Sequence, residues 1–397
     1  MKKILVIGAG FLQTFVIKKA KELGYYVFSV DGNPNAEGFK YSDDYKHVDI
    51  TDEQTCLEYA KGKYIDGVIT AATDFGVLTA SYIAQEMGLP GLNYSSAKLV
   101  KNKYYVRQCF YEHNIDDTEQ SIEITKNTDI VSLSDKIQLP VMVKPCDGSG
   151  SRGASKVSKA KELKDACDFA IKNSVTQKAE IETFITGREY GIESFVENGN
   201  VHIMSILKKR MTMPPYYAEL GHAIPSGLTS EIEEKIKNCV FRAIKTLNIN
   251  FGAVNMDLII TTNGKIHIVD VGARMGGNLI GSHIIRLGTG VDYLANLIKA
   301  TVGDVVDLRI IQTPTNVVTR LLTLMPGKVL SLPNMQEIST KYNVEIQHHL
   351  HVRDSITEYH TNLDGCGYVV SVADNMSEAF DKAEIAKDAI DAGIIRG

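Results

Sequence analysis

The sequence predicts a mixed α/β and α+β protein, with a parallel-sheet domain at the N-terminus and a longer β-rich body behind it. Three observations carry this reading. Short β-rich runs alternate with helical stretches up to about residue 100, the pattern of βαβ units. Beyond that point strands follow one another, with a strong hairpin signal at Thr262-Asn263-Gly264. No repeat or low-complexity linker separates the regions, so they are expected to pack together. The expected divisions are 1–100, 101–305 and 306–397.

In the first division Lys3 to Ile7 reads as a strand, Phe15 to Leu23 as a helix, and Tyr26 to Val30 as a strand. Asp66 to Thr70 is a further strand and Gly76 to Met87 a further helix. The second division opens with a helix from Lys103 to Glu112. Strands are expected at Pro140–Lys144, Ala179–Phe184, Arg188–Val196, Val201–Leu207, Ala253–Thr261 and Lys265–Val271. The third carries an apolar run from Val317 to Leu324, a turn at Pro326-Gly327, more strands, and a helix near Ser377–Ala392.

Composition narrows the function classes. The chain has 397 residues, 44% hydrophobic and 23% charged, which is ordinary for a globular protein. A net charge of -5 argues against a nucleic-acid protein, which usually shows a basic face. No apolar run reaches about 18 residues, so no membrane-spanning helix is expected. The six cysteines are scattered without a Cys-x-x-Cys pair, neither a zinc pattern nor a disulfide framework. They fit reduced, buried thiols in a cytoplasmic protein.

Gly8-Ala9-Gly10 follows a strand and opens a helix, with Asp31 at the end of the next strand, the right context for a dinucleotide turn. Gln13, however, stands where close helix–strand packing asks for Gly or Ala. A small-substrate or vestigial nucleotide fold and a plain structural turn remain open beside NAD binding. Asp31 and Asp74, at strand ends, read either as substrate-facing or as solvated loop carboxylates.

The chemistry-bearing pattern lies between residues 103 and 278. Val141-Met142-Val143-Lys144-Pro145 ends an apolar strand on a lysine, and Gly148-Ser149-Gly150-Ser151-Arg152-Gly153 follows. Backbone N–H groups of such a loop can approach phosphate oxygens while the lysine supplies a point charge. It is not a Walker A loop, because Gly-x-x-x-x-Gly-Lys-Ser/Thr does not occur. Glu182-Thr183-Phe184-Ile185 ends a strand and offers apolar and backbone groups to a planar base, with Glu189 just past a turn. Asp257 and Asp270 each interrupt an apolar strand and are joined through the Asn263-Gly264 turn, so strand pairing can set them side by side. Charges in such positions need a partner or a metal, and two hard oxygens suit Mg²⁺. A structural pairing with Arg274 is the alternative.

Taken together, Val143-Lys144-Pro145 with its loop, Glu182-x-Phe184-Ile185-x-Gly187-x-Glu189-Tyr190, and Asp257…Asp270-x-x-x-Arg274 resemble the ATP-grasp superfamily, near its biotin-carboxylase and carbamoyl-phosphate-synthase branch. Thr319-Arg320-Leu321-Leu322…Pro326-Gly327-Lys328-Val329 resembles the C-terminal lobe of L-amino-acid ligases. The resemblance implies a Rossmann-like pre-ATP-grasp domain, a two-lobed ATP-grasp fold, and a carboxylate–amine ligase using ATP and one or two Mg²⁺ ions. It implies that Lys103 and Lys144 hold phosphates beneath the loop Ser149, Gly150, Ser151, Arg152 and Gly153. Glu182, Phe184 and Ile185 would line the adenine hinge and Glu189 would bind ribose. Asp257 and Asp270 would carry Mg²⁺, and Arg274 would steady the carboxylate and its acyl-phosphate. Family members commonly carry two glutamates and a following asparagine at the metal strand; here Asp257, Asp270 and Gly272 stand there, and Asn278 is a candidate replacement ligand.

A reactive acyl-phosphate calls for a lid, for which the Gly/Ser loop and the stretch from Pro214 to His222 are the candidates. In the latter, Glu219 is a candidate for a substrate ammonium and His222 for a proton relay. His348, His349 and His351 read as solvated. The expected partners are a small-molecule carboxylate and an amine, with no nucleic acid or membrane and with a homodimer implied by the family. The rival functions are a bicarbonate-using carboxyphosphate enzyme and a nucleotide-binding sensor.

Overall fold

The chain is described by a computed structural model covering residues 1–119, 121–148, 150, 152–213, 216–310 and 315–397. Ser149 and Ser151 of the phosphate-loop reading, and Pro214-Pro215 of the second lid candidate, lie outside the described residues.

The N-terminal strands pair in parallel in the order Asp44–His47, Tyr26–Asp31, Lys3–Ile7, Gly67–Ile69. Their side chains are apolar on both faces because helices cover both. Phe11–Glu22 packs on one, Glu53–Lys63 and Val77–Met87 on the other. The helix Lys103–Glu112 begins where the sequence places it. Asn102 caps it by accepting from the Tyr105 N–H at 3.1 Å. The Lys103 N–H donates to the Cys146 carbonyl at 2.7 Å, which fixes this helix start beside the Val141–Pro145 strand.

Two antiparallel sheets then face each other across a cleft. The smaller runs Ile122–Thr125, Lys178–Thr183, Val141–Pro145, Ser155–Val157. Alternation sends Val141 and Val143 onto the helix Ala160–Lys172 and leaves Met142 and Lys144 for the cleft. The larger sheet has eight strands among the described residues. Its order is Ile266–Gly272, Gly252–Ile260, Arg188–Glu197, Asn200–Met211, Glu219–Ile224, Asn316–Leu321, Gly367–Ala373, Val344–His348. The last three strands lie in the expected 306–397 region, so one sheet runs across the division at residue 305.

The chain from Glu219 to Ile224 corrects one expectation. It is an interior strand, with four strands of the sheet on one side and three on the other, rather than part of a surface lid, pairing with Asn200–Met211 and with Asn316–Leu321. Glu219 and His222 therefore sit on rigid sheet, and His222 is 2% exposed. All six cysteines are free and five are buried, Cys109 being half-buried. No helix among the described residues is long and apolar enough to cross a membrane.

Candidate active site

A cavity of about 800 Å³ fills the cleft between the two sheets and the N-terminal domain. It is lined by Lys103, Lys144, Gly150, Arg152, Glu182, Phe184, Ile185 and Glu189, and also by Glu219, His222, Asp257, Asp270, Arg274 and Asn278. These residues are scattered over 176 positions of sequence numbering, from 103 to 278, and one void collects them. Gly153 is the exception and a correction. Its φ of +75° and the approach of Pro145 and Asn173 to its Cβ position, both at 2.7 Å, make it a turn packed against the sheet rather than a cavity wall.

Strand pairing builds the acidic centre. Asp257 and Asp270 are directly opposite in the hairpin that turns at Asn263-Gly264, brought there by a one-residue register shift between Asp257 and Leu258. Gly264, at φ +80°, makes that turn, a conformation an L side chain resists. Each aspartate is neutralised by a lysine from another element. Asp257 meets Lys209 Nζ at 2.9 Å, and Asp270 is paired with Lys103. The alternative pairing with Arg274 does not form.

Lys209 is the centre of the charge network and was not found from sequence. Its side chain is 2% exposed and lies 2.5 Å from Glu219, 2.9 Å from Asp257 and 3.9 Å from Glu189. Gly191 lies on the strand between those of Asp257 and Lys209, opposite Asp257. Burial works against the Lys209 charge, but the three carboxylates outweigh it and hold the ammonium above its ordinary pKa. Burial would raise Glu219 as well, yet Lys209 and then His222 hold it down at about 2. For Asp270 the same contest, with Lys103 as the main counter-charge, ends at about 2. Glu189 goes the other way. Burial pushes it up to about 7, because Lys209 is too far to offset it and Asp257 and Glu219 repel it. The signal that could have found Lys209 is period two: it shares a strand face with Leu207, which is fully buried.

Glu219 has little capacity left for a ligand. Lys209 takes one oxygen, Asn278 and Asn362 donate to the other, and its backbone carbonyl accepts from Tyr359. His222 is pushed down to about 4 by burial and is neutral at pH 7. Its Nδ1 is buried without a partner among the described residues. Neither group stands ready for the ammonium and relay roles expected of them. Asn278 has φ +52° and its side chain bridges Glu219 and the Tyr368 hydroxyl, so it braces the site rather than offering a free ligand.

At the other end Lys144 contacts Glu182 at 2.6 Å and Glu180 at 3.4 Å and donates to the Val269 carbonyl at 3.2 Å. Arg107, 5% exposed, lies 3.2 Å from Asp116 and 3.5 Å from Glu182. Glu182 thus faces the lysine, and the wall around Met142, Phe184, Ile185, Ile259 and Val269 supplies the apolar surface. The Phe184 N–H donates to the Pro140 carbonyl at 3.1 Å, which pins the link between the sheets. Arg274 is held by Asp74 through two bonds, Nε to Oδ1 at 2.8 Å and Nη2 to Oδ2 at 3.2 Å. Asp74 thereby proves a cavity residue, whereas Asp31 accepts from the Ala9 N–H at 2.7 Å and closes its own turn. Of the histidines read as solvated, His349 and His351 are exposed and His348 is half-buried, with burial lowering its pKa.

Two adjacent, partly exposed aspartates in a cavity that also holds Lys103 and Lys144 fit a Mg²⁺–nucleotide. Mg²⁺ typically takes one or two carboxylates and completes its shell with water and phosphate. No group of three or more His, Cys, Asp or Glu side chains able to hold a metal occurs among the described residues.

Comparison with known proteins agrees with this geometry. Residues 137–282 match the model of the ATP-grasp domain. An uncharacterized protein of Sinorhizobium fredii is 25% identical over 87% of this chain and 73% of its own length. Human carnosine synthase 1 is 24% identical over 76% of this chain, which spans 40% of that larger protein. Among solved structures, an L-amino acid ligase from Bacillus licheniformis superposes with a TM-score of 0.83 at 21% identity, covering 100% of this chain and 99% of that one. A phosphoribosylglycinamide synthetase from Anaerococcus prevotii gives 0.78 at 22% identity, covering 100% and 99%. The matched ATP-grasp domain lies across the phosphate-loop, hinge and aspartate strands, and the fold of the whole chain is similar to that of these solved structures.

Proposed function

We propose that the protein is an ATP-dependent ligase that activates a small-molecule carboxylate as an acyl-phosphate and couples it to an amine, releasing ADP and phosphate. The observation that carries this is the facing pair Asp257 and Asp270, set in one cavity with Lys103, Lys144 and Arg274. A carboxylate is a poor electrophile, and phosphorylation by ATP converts it into a good one. Positioning and charge neutralisation account for most of the catalysis of such a transfer. Lys103 and Lys144 hold the phosphates, exchanging the carboxylates they contact in this structure for phosphate oxygens. Phe184 and Ile185 flank the adenine, and Glu189 accepts from the ribose. Asp257 and Asp270 would hold Mg²⁺, which would supply neutralisation of phosphate charge. Lys209 fixes Asp257 and Glu219 in place, and Arg274 faces the reacting carboxylate.

The cavity continues past Arg274 to Leu12, Phe75, Ile280, Asn362, Leu363 and Tyr368. That leaves room for organic substrates beside the nucleotide. Human carnosine synthase and the Bacillus licheniformis L-amino acid ligase, by their names, support amino acids as the first substrates to try. The deciding experiment measures phosphate release from Mg²⁺-ATP across a matrix of carboxylates and amines. ADP and phosphate formation that requires one carboxylate and rises with one amine supports the ligase. Release driven by bicarbonate alone, or nucleotide binding with no release for any pair, overturns it.

A further inference from the structure

The Asp74–Arg274 pair joins residues 200 positions apart, one on the N-terminal domain and one just past the metal strand. Their side chains are 23% and 15% exposed and both line the main cavity. Arg274 presents two of its donor nitrogens to Asp74 in a bidentate fork, the arrangement that most restricts a guanidinium. The remaining Nη1 makes only long contacts, 3.4 Å to Asn255 Oδ1 and 3.5 Å to the Met275 carbonyl. It is the nitrogen left for a substrate. The route to this pairing runs over Gly272. A Cβ built there would lie 3.2 Å from Asp74 Oδ1, 3.1 Å from Arg274 Cζ and 3.3 Å from Arg274 Nε. These contacts are tighter than side chains normally make, so a larger residue at 272 would push the pair apart. The φ of Gly272 is not in the left-handed region, so the glycine is not needed for backbone shape. Its missing side chain is what the site uses.

We infer that Asp74 is a positioning residue supplied by the N-terminal domain, which aims Arg274 at the substrate carboxylate through the space left by Gly272. What Arg274 does for the substrate rests on the ligase reading; the pairing itself does not. The experiment therefore has two arms. In the first, Asp74→Ala, Asp74→Asn, Gly272→Asn and the double variant Asp74→Ala/Gly272→Asn are treated with phenylglyoxal. Modification of Arg274 is followed by peptide mass spectrometry, with melting temperature recorded for each variant. Arg274 is expected to react slowly in the wild type, several-fold faster in Asp74→Ala, and slowly again in the double variant, where the asparagine amide occupies the vacated space. In the second arm, with the substrate pair found in the matrix, Asp74→Ala raises the KM for the carboxylate about 10-fold or more, as expected for loss of a charged hydrogen bond. The KM for ATP stays unchanged, and the double variant recovers part of the loss. Equal Arg274 reactivity in wild type and Asp74→Ala overturns the inference, as does a rise in both KM values together. If no substrate pair turns over while the protection pattern holds, the ligase reading fails and the pairing stands.

Discussion

Two regions of this molecule carry the look of a nucleotide site in the sequence, and they differ in where their charges find partners. The turn Gly8-Ala9-Gly10 consumes its own polar groups. Asp31 takes the Ala9 N–H, and the Gln13 amide donates to the Ala71 carbonyl at 2.6 Å. Gln13 atoms also lie 3.4 Å and 3.1 Å from the Cβ positions of Gly8 and Gly10, filling the space a pyrophosphate would need. In the hairpin Gly252–Ile260 and Ile266–Gly272 the reverse holds. Its two aspartates are satisfied by lysines from distant strands and helices, and both open onto a cavity. A motif whose charges close on themselves is structural. A motif whose charges are held by remote, exchangeable partners beside a void is a site.

The widest separation between the two regions comes from Asp257→Asn. Mg²⁺-ATP turnover should fall by about 10²–10³-fold, the scale of losing one pre-arranged electrostatic contact in a transition state. The fold should survive, since Lys209 keeps Glu219 at 2.5 Å. Phosphate release and circular dichroism on the same sample check this. Full activity in the variant removes Asp257 from the metal assignment.

Next in size is Lys209→Met. It leaves Asp257, Glu219 and Glu189 together without their central cation. Removing one partner of a buried ion pair typically costs about 3–5 kcal/mol, and the loss should appear as a lowered melting temperature and denaturant midpoint. Protonation relieves it: the variant should recover stability as pH falls, because the orphaned carboxylates become neutral. A variant as stable as the wild type at pH 8 would mean that Lys209 is not the charge centre.

Glu193 gives a smaller effect with a defined sign. It is fully buried and accepts from the Gly276 N–H, the Asn255 amide and the Tyr293 hydroxyl, each at 3.0 Å, with no ion pair among the described residues. Burial pushes it up to about 7 from 4.5. A carboxyl with a raised native pKa binds protons more tightly folded than unfolded. Its stabilising contribution is therefore full below about pH 4.5 and lost as pH rises through 7, by about 3 kcal/mol at 1.36 kcal/mol per unit. Glu193→Gln should flatten the decline in stability between pH 5 and 8 in thermal melts. An unchanged slope would show that Glu193 does not titrate there.

How much of this was legible follows from what each signal depends on. The hairpin that brings Asp257 near Asp270 is local, so the Asn263-Gly264 turn was enough to expect it, whereas the register shift between Asp257 and Leu258 that sets the two directly opposite had no signal in the sequence. The helix Lys103–Glu112 was readable for the same reason, its cap and periodicity lying within a dozen residues. The strand Glu219–Ile224 was hidden by Pro214-Pro215 and by its polar residues Glu219 and His222, which read as loop. Its place is decided by pairing with Asn316–Leu321 almost 100 residues away. Lys209 was missed as a site residue, and Asp74 was left open between substrate-facing and solvated, because their partners come from other elements; alternation with the buried Leu207 could have marked Lys209 as inward but not named the carboxylates that neutralise it.

The smallest effect sharpens the comparison from the other side. Asp31 carries the N-terminal turn through two hydrogen bonds, from the Ala9 N–H at 2.7 Å and the Asn33 N–H at 2.8 Å, and does not line the cavity. Asp31→Ala should lower stability by about 1–3 kcal/mol, the usual range for backbone donors left without a charged acceptor. Because the turn closes on itself, the loss should stay local. The KM for ATP and the rate of ADP formation should remain within about twofold of wild type, since substitutions far from a site and sharing no partners with it act independently. A large rise in the KM for ATP would instead tie this turn to the nucleotide and erase the contrast between the two glycine-bearing regions.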